Sequence, residues 1–116
     1  MLKQLLGKFA ENRAENLLKS AGLVIEARNW RCRQGEIDLI AREGSVLVFV
    51  EVRSRKHDEF GTAADSITLA KQRRIIKAAR HYLASLPAVP ACRFDVITLD
   101  KGQDPEWIKS AFDDFG

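Results

Sequence analysis

The stretch GEIDLIAREGSVLVFVEVRSR, Gly35 to Arg55, constrains this chain more than any other. Two aliphatic and β-branched runs flank AREGS, whose Gly44 supplies a turn, so the pattern predicts a hairpin of strands over Glu36–Ala41 and Val46–Arg53. Each run carries a carboxylate among apolar neighbours, Asp38 in the first and Glu51 in the second. A lone carboxylate in such a place is costly to desolvate, so something must compensate the pair.

Side chains alternate faces along a strand, which puts Glu36, Asp38 and Ile40 on one face and Leu47, Phe49, Glu51 and Arg53 on one face of the next strand. With Arg42–Ser45 as the turn, Ala41 pairs with Val46, Asp38 lies opposite Phe49 and Glu36 lies opposite Glu51. Asp38 and Glu51 are then diagonal neighbours, about 7–8 Å apart, with Arg53 beside them. Convergent hard oxygens next to a cation suit a weakly held Mg²⁺ or Mn²⁺ whose remaining positions are filled by water and phosphate oxygens, and a phosphodiester is the natural substrate. The same residues also suit structural ion pairs of Asp38 and Glu51 with Arg53, Arg55 or Arg31, so the hairpin alone leaves both readings open.

The 116 residues, 46% of them hydrophobic, suffice for one core, and a single domain spanning 1–116 is expected. MLKQLLGKFAENR interrupts its apolar residues with Gly7 and Lys8, so it is neither a signal-peptide core nor a membrane span, and a cytoplasmic, soluble protein is expected. Cys32 and Cys92 have no His or Cys at metal-ligand spacing and are assigned no role. From Asp100 onward five acids face only Lys101 and Lys109, so the net charge of +3 becomes +6 over the first 99 residues. That excess suits a polyanionic partner.

Helical spacing of Leu5, Leu6, Phe9, Ala10, Ala14, Leu17, Leu18 and Ala21 predicts a first helix from Lys3 to Ala21, stopped by Gly22. A strand is expected over Leu23–Arg31, and SRKHDEFGTAAD reads as a loop. Ser66 or Thr68 caps a second helix running to about Leu86, with Ile75, Ile76, Ala79, Tyr82, Leu83 and Leu86 as its apolar stripe. RFDVITL, Arg93–Leu99, is a further strand, and EWIKSAF suits either a strand or a helical turn. Asp95 poses the same puzzle as Asp38, answered by an ion pair with Arg93 or Arg28.

These parts together, GKFAENRA, RNWRCRQGEIDLI, VFVEVRSR, FGTAADSITLAKQRRI, CRFDVI and EWIKSAF, resemble the PD-(D/E)xK nuclease superfamily and, within it, the YraN-like bacterial family, similar to archaeal Holliday-junction resolvases. The resemblance implies an α/β, restriction-endonuclease-like αβββαβ core, a mixed sheet flanked by helices. It implies Asp38 and Glu51 as metal ligands, Arg53 as the basic residue and Glu11 on the first helix as the helical acid, in preference to Glu15. The superfamily's basic residue is usually Lys. Arg53 keeps a charge able to clamp phosphate oxygens but cannot deprotonate, so it suffices if the chemistry needs only charge; a neutral amine would have to come from Lys71 near the start of the second helix, unless metal-bound water bypasses the need.

That helix carries Lys71, Arg73, Arg74, Lys77 and Arg80 without an acid between Thr68 and Leu86, a surface that suits DNA phosphates or a solvated face balanced by the acidic tail. Arg55 and Lys56, leaving the strand beside the proposed site, together with Lys71 and Arg74, are the expected nucleic-acid contacts. The function expected is metal-dependent endonuclease action on structured or branched DNA, with monomer and homodimer both left open. The alternative is a catalytically silent nucleic-acid-binding domain of the same fold.

Overall fold

The structure is a computed structural model, and it describes residues 2–55, 67–100 and 104–113, without the side chains of Lys3, Gln4 and Arg55. The expected Ser66 cap, Lys56 and most of the expected loop lie outside the described residues. The elements run α1 (Leu2–Ser20), β1 (Val24–Cys32), β2 (Gly35–Glu43), β3 (Val46–Arg55), α2 (Leu69–Ala84), β4 (Cys92–Asp100) and β5 (Glu106–Phe112). The strands form one mixed sheet in the order β1-β2-β3-β4-β5, antiparallel throughout except for the parallel β3–β4 pair. The architecture is therefore α/β with a helix on each face of the sheet, compatible with a restriction-endonuclease-like core.

β3 is central and buried on both faces, which is why it reads as the continuous apolar run VLVFV rather than as an alternation. Leu47 and Phe49 join Ile75, Ala78 and Ala79 of α2 in one core. Val48 and Val50 join Ala14 and Leu18 of α1 in the other. Thr68 caps α2 as predicted, its Oγ1 accepting from Lys71 N at 3.1 Å. Gly22, at φ +93°, ends α1 with paired bonds from Gly22 N to Lys19 O and from Leu23 N to Leu18 O, and the buried Leu18 and Leu23 accompany them.

Several expectations need correction. The α1 stripe is only half used: Ala14 and Leu18 are buried, whereas Leu5, Leu6 and Phe9 are more than half exposed, because the amino-terminal turns have no packing on the sheet. β3 continues to Arg55, into the stretch read as loop. EWIKSAF is a strand, bonded to β4. The hairpin turn is only Gly44–Ser45, with Gly44 at φ +58° and Glu43 paired to Val46, so Ala41 faces Val48 and Leu39 faces Val50. This two-residue shift preserves the faces of β3 but removes Phe49 from opposite Asp38. One step beyond Leu39–Val50, Asp38 comes level with Glu51, and Glu36 pairs with Arg31 across β1 instead.

Strict alternation also fails along β2. Ile37 belongs to the α2 core while Leu39 belongs to the α1 core, although two residues apart should share a face. The change of face occurs at Asp38, beside Asn29 of β1, whose φ of +50° falls between the Arg28–Leu39 and Trp30–Ile37 pairs. Glu36, Asp38 and Ile40 therefore do not line one common face. Asp38 sits where the strand rolls over.

Candidate functional site

Rolling β2 at Asp38 opens the hairpin ladder there, and the freed backbone N–H of Val52 is taken up by Asp38 Oδ2 at 2.9 Å. That bond holds the carboxylate against β3 beside Glu51, which is 4% exposed and points to the α2 side. Asp38 is only partly exposed, and burial, then the charge of Glu51, push its carboxyl from 3.8 up to about 8; Glu11 adds a smaller push in the same direction. Near neutral pH Asp38 thus keeps its proton. The remaining charge on Glu51 is met by Lys71, whose Nζ lies 2.9 Å from Glu51 Oε1.

Two clefts meet at Asp38. The wider, about 580 Å³, runs under α1 and is lined by Leu5, Gly7, Lys8, Glu11, Asn29 and Arg31 as well as Glu36 and Asp38. The narrower, about 200 Å³, lies toward α2 and is lined by Gly35, Glu36, Asp38, Glu51, Lys71, Arg74 and Ile75. Gly35 explains why α2 stands so close: a Cβ there would approach the Arg74 carbonyl oxygen to 3.3 Å, and only glycine leaves that backbone undisturbed.

The structure brings Glu11, Asp38, Glu51, Lys71 and Arg74 to these clefts. Glu11 Oε1 accepts from Asn29 Nδ2 at 3.0 Å and lies 3.8 Å from Arg28 Nη2, which orients it from α1 toward β1. Glu15 pairs with Lys19 and Arg28 and lines neither cleft. Arg53 is half-buried on β3, level with Thr98 of β4, and lines neither cleft. Arg55 ends β3 level with Asp100, and Lys56 lies outside the described residues. Arg73, Arg74, Lys77 and Arg80 lie along α2, all four exposed.

Asn29 escaped the sequence reading, and so did the Lys71–Glu51 contact, since Lys71 reads there mainly as a phosphate contact. An Asn in a strand is the residue type that tolerates a left-handed conformation, and this was the available signal. The ion pairs foreseen for the two carboxylates are replaced by another: Glu51 pairs with Lys71, and Arg31 pairs with Glu36. Asp95, fully buried, is a structural acceptor, taking Arg93 Nε on both oxygens at 3.1 Å, Trp107 Nε1 at 2.9 Å and Ser110 N at 2.9 Å. Arg28 instead faces Glu11 and Glu15.

A family model described as "Uncharacterised protein family UPF0102" matches residues 10–99. The chain belongs to the UPF0102 family. It is 55% identical over 115 residues to a UPF0102 protein of Nitrosospira multiformis, covering 97% of each chain. A UPF0102 protein of Cupriavidus metallidurans is 56% identical over 108 residues, covering 92% of this chain and 80% of the relative. One of Legionella pneumophila is 52% identical over 110 residues, covering 92% of this chain and 93% of the relative. No helix among the described residues is long and apolar enough to cross a membrane.

Proposed function

We propose that this UPF0102 protein is a metal-dependent DNA endonuclease of the PD-(D/E)xK type, acting on structured or branched DNA. The observation that carries the reading is the Asp38–Glu51 pair: two largely buried carboxylates drawn together, one raised to about 8 and the other held by an ammonium group. Such a pair has an obvious ligand in a hard divalent cation, which displaces the proton of Asp38 and neutralises both carboxylates. Among the described residues no third His, Cys, Asp or Glu converges with them. Two carboxylates suit Mg²⁺ or Mn²⁺, which keep several waters and take phosphate oxygens, better than a cation needing a full protein cage.

When bound, the cation would polarise the phosphate and lower the pKa of its water. Asp38 and Glu51 would hold it, and the Val52 N–H keeps Asp38 aimed during exchange of proton for metal. Glu11, facing the wider cleft, would orient groups on the α1 side of the scissile phosphate. Arg53 would contribute fixed positive charge from β3, and Arg55, Lys56, Lys71 and Arg74 would contact the DNA backbone.

Purified protein incubated with Mn²⁺ and four-way-junction, flap and single-stranded DNA tests the reading. The wild type is expected to cut the junction or the flap, and Asp38→Asn and Glu51→Gln to lose at least about 10²-fold. Arg53, which cannot act as a base, favours the second reading, a nucleic-acid-binding domain without chemistry. Equal DNA binding by all three proteins with no cleavage would establish that one.

A further inference from the structure

Lys71 and a divalent cation have a claim on the same carboxylate. Lys71 Nζ stands 2.9 Å from Glu51 Oε1, where the Glu51 side chain is 5% exposed and that of Lys71 is 35% exposed. Its backbone is fixed in the first turn of α2 by the Thr68 cap, and Gly35 seats α2 against the hairpin. Only the four-carbon stem is free to move, and a compact, flexible ammonium is the cation best able to exchange partners without moving its helix.

We propose that Lys71 is a catalytic residue with two alternating partners: it neutralises Glu51 until a divalent cation arrives, then turns into the narrower cleft to hold the substrate phosphate. The inference rests on the metal-site reading above. A cation between Asp38 and Glu51 would sit next to the present position of Nζ, where attraction to Glu51 gives way to repulsion between two positive groups. The stem pivots from the start of α2, and the space on that side is the cleft of about 200 Å³ that Lys71 lines with Arg74 and Gly35. A phosphate held there would lie within reach of the ammonium and of Arg74, which lines the same cleft. Lysine thus reaches the site from α2, while β3 supplies Arg53.

The test is calorimetry with Mn²⁺ alone on the wild type, Lys71→Met, Lys71→Gln and Lys71→Arg, followed by single-turnover cleavage of junction DNA at saturating Mn²⁺. Removing the competing charge is expected to tighten Mn²⁺ binding about tenfold in Lys71→Met and Lys71→Gln, while Lys71→Arg stays near wild type. Cleavage is expected to fall about 10²-fold in the two neutral variants despite their tighter metal binding. Unchanged or weaker Mn²⁺ binding in both neutral variants overturns the competition, because a lysine that merely supports Glu51 would weaken the site when removed. Tighter binding with wild-type cleavage overturns the phosphate role. If the wild type and all variants bind no Mn²⁺, the metal-site reading falls and takes this inference with it; if all bind it equally, that reading stands and this inference alone fails.

Discussion

Replacing Asp38 by Asn should change how the stability of this protein depends on pH. In the folded chain the Asp38 carboxyl is raised from 3.8 to about 8, by burial first and then by the charge of Glu51. Unfolding restores it to about 3.9. Between roughly pH 4 and pH 8 the folded protein therefore holds a proton that the unfolded chain has released, so stability falls as pH rises through this window and levels off above it. About four units at about 1.4 kcal/mol each set a ceiling near 6 kcal/mol. Lys71 stands 2.9 Å from Glu51, so part of the repulsion on Asp38 is relieved, and a loss of about 2–3 kcal/mol is the expected size. The amide introduced by Asp38→Asn has no such proton to lose. Urea unfolding of both proteins at about pH 5 and about pH 8.5 isolates the effect, because groups such as Glu26 and Glu43, whose carboxyls are lowered by Arg42 and Arg93, are common to both and cancel. The wild type should lose about 2–3 kcal/mol more than Asp38→Asn, and saturating Mn²⁺ should abolish that difference. An identical pH dependence in the two proteins would refute the reasoning, since it would make Asp38 an ordinary solvated carboxylate.

Further outcomes are expected elsewhere in the molecule. Arg53→Ala should slow cleavage by about 10²-fold with little change in DNA affinity, and Arg53→Lys should retain or raise it; an inert Arg53→Ala would remove Arg53 from the chemistry. Paired Arg74→Gln and Lys77→Gln changes should flatten the slope of log affinity against log salt by about two, and an unchanged slope would leave the basic face of α2 as a solvated surface. Asp95→Ala leaves Arg93 Nε, Trp107 Nε1 and Ser110 N without their acceptor, while Arg93 Nη1 keeps Glu43, and should cost about 1–3 kcal/mol in urea unfolding. Gly35→Ala, pressed against the Arg74 carbonyl, should cost about 1–3 kcal/mol and weaken Mn²⁺ binding by displacing α2, measurable by unfolding and calorimetry on the same sample.

The residues that make the hairpin were legible because their period is short and local: the apolar runs on either side of Gly44 read as two strands, and alternation put Leu47, Phe49 and Glu51 on one face, the face that α2 covers. The register was not, since Gly44 at positive φ lets β2 and β3 run to a two-residue turn, and nothing in AREGS distinguishes that turn from a longer one. The error was an even number of residues, so the faces of β3 survived it. The rollover at Asp38 depends on Asn29, nine positions away, and no pattern internal to β2 reports it. Helical periodicity likewise identified α1 but not where the sheet beneath it stops, so Leu5, Leu6 and Phe9 appeared as core and stand in solvent. The Lys71–Glu51 contact joins residues twenty apart through a tertiary approach that Gly35 permits, and spacing alone ranks Lys71 no higher than its basic neighbours on α2.

Every functional role proposed above depends on Asp38 and Glu51 forming one divalent-cation site. Isothermal titration of Mn²⁺ into the wild type, Asp38→Asn and Glu51→Gln, each free and bound to junction DNA, examines that site without an intervening step. The wild type is expected to bind weakly and to bind more strongly when DNA phosphate completes the coordination, with no measurable binding by either variant in either state. Binding that persists undiminished in both variants, or no heat from the wild type even with DNA bound, would mean that the two carboxylates hold no metal.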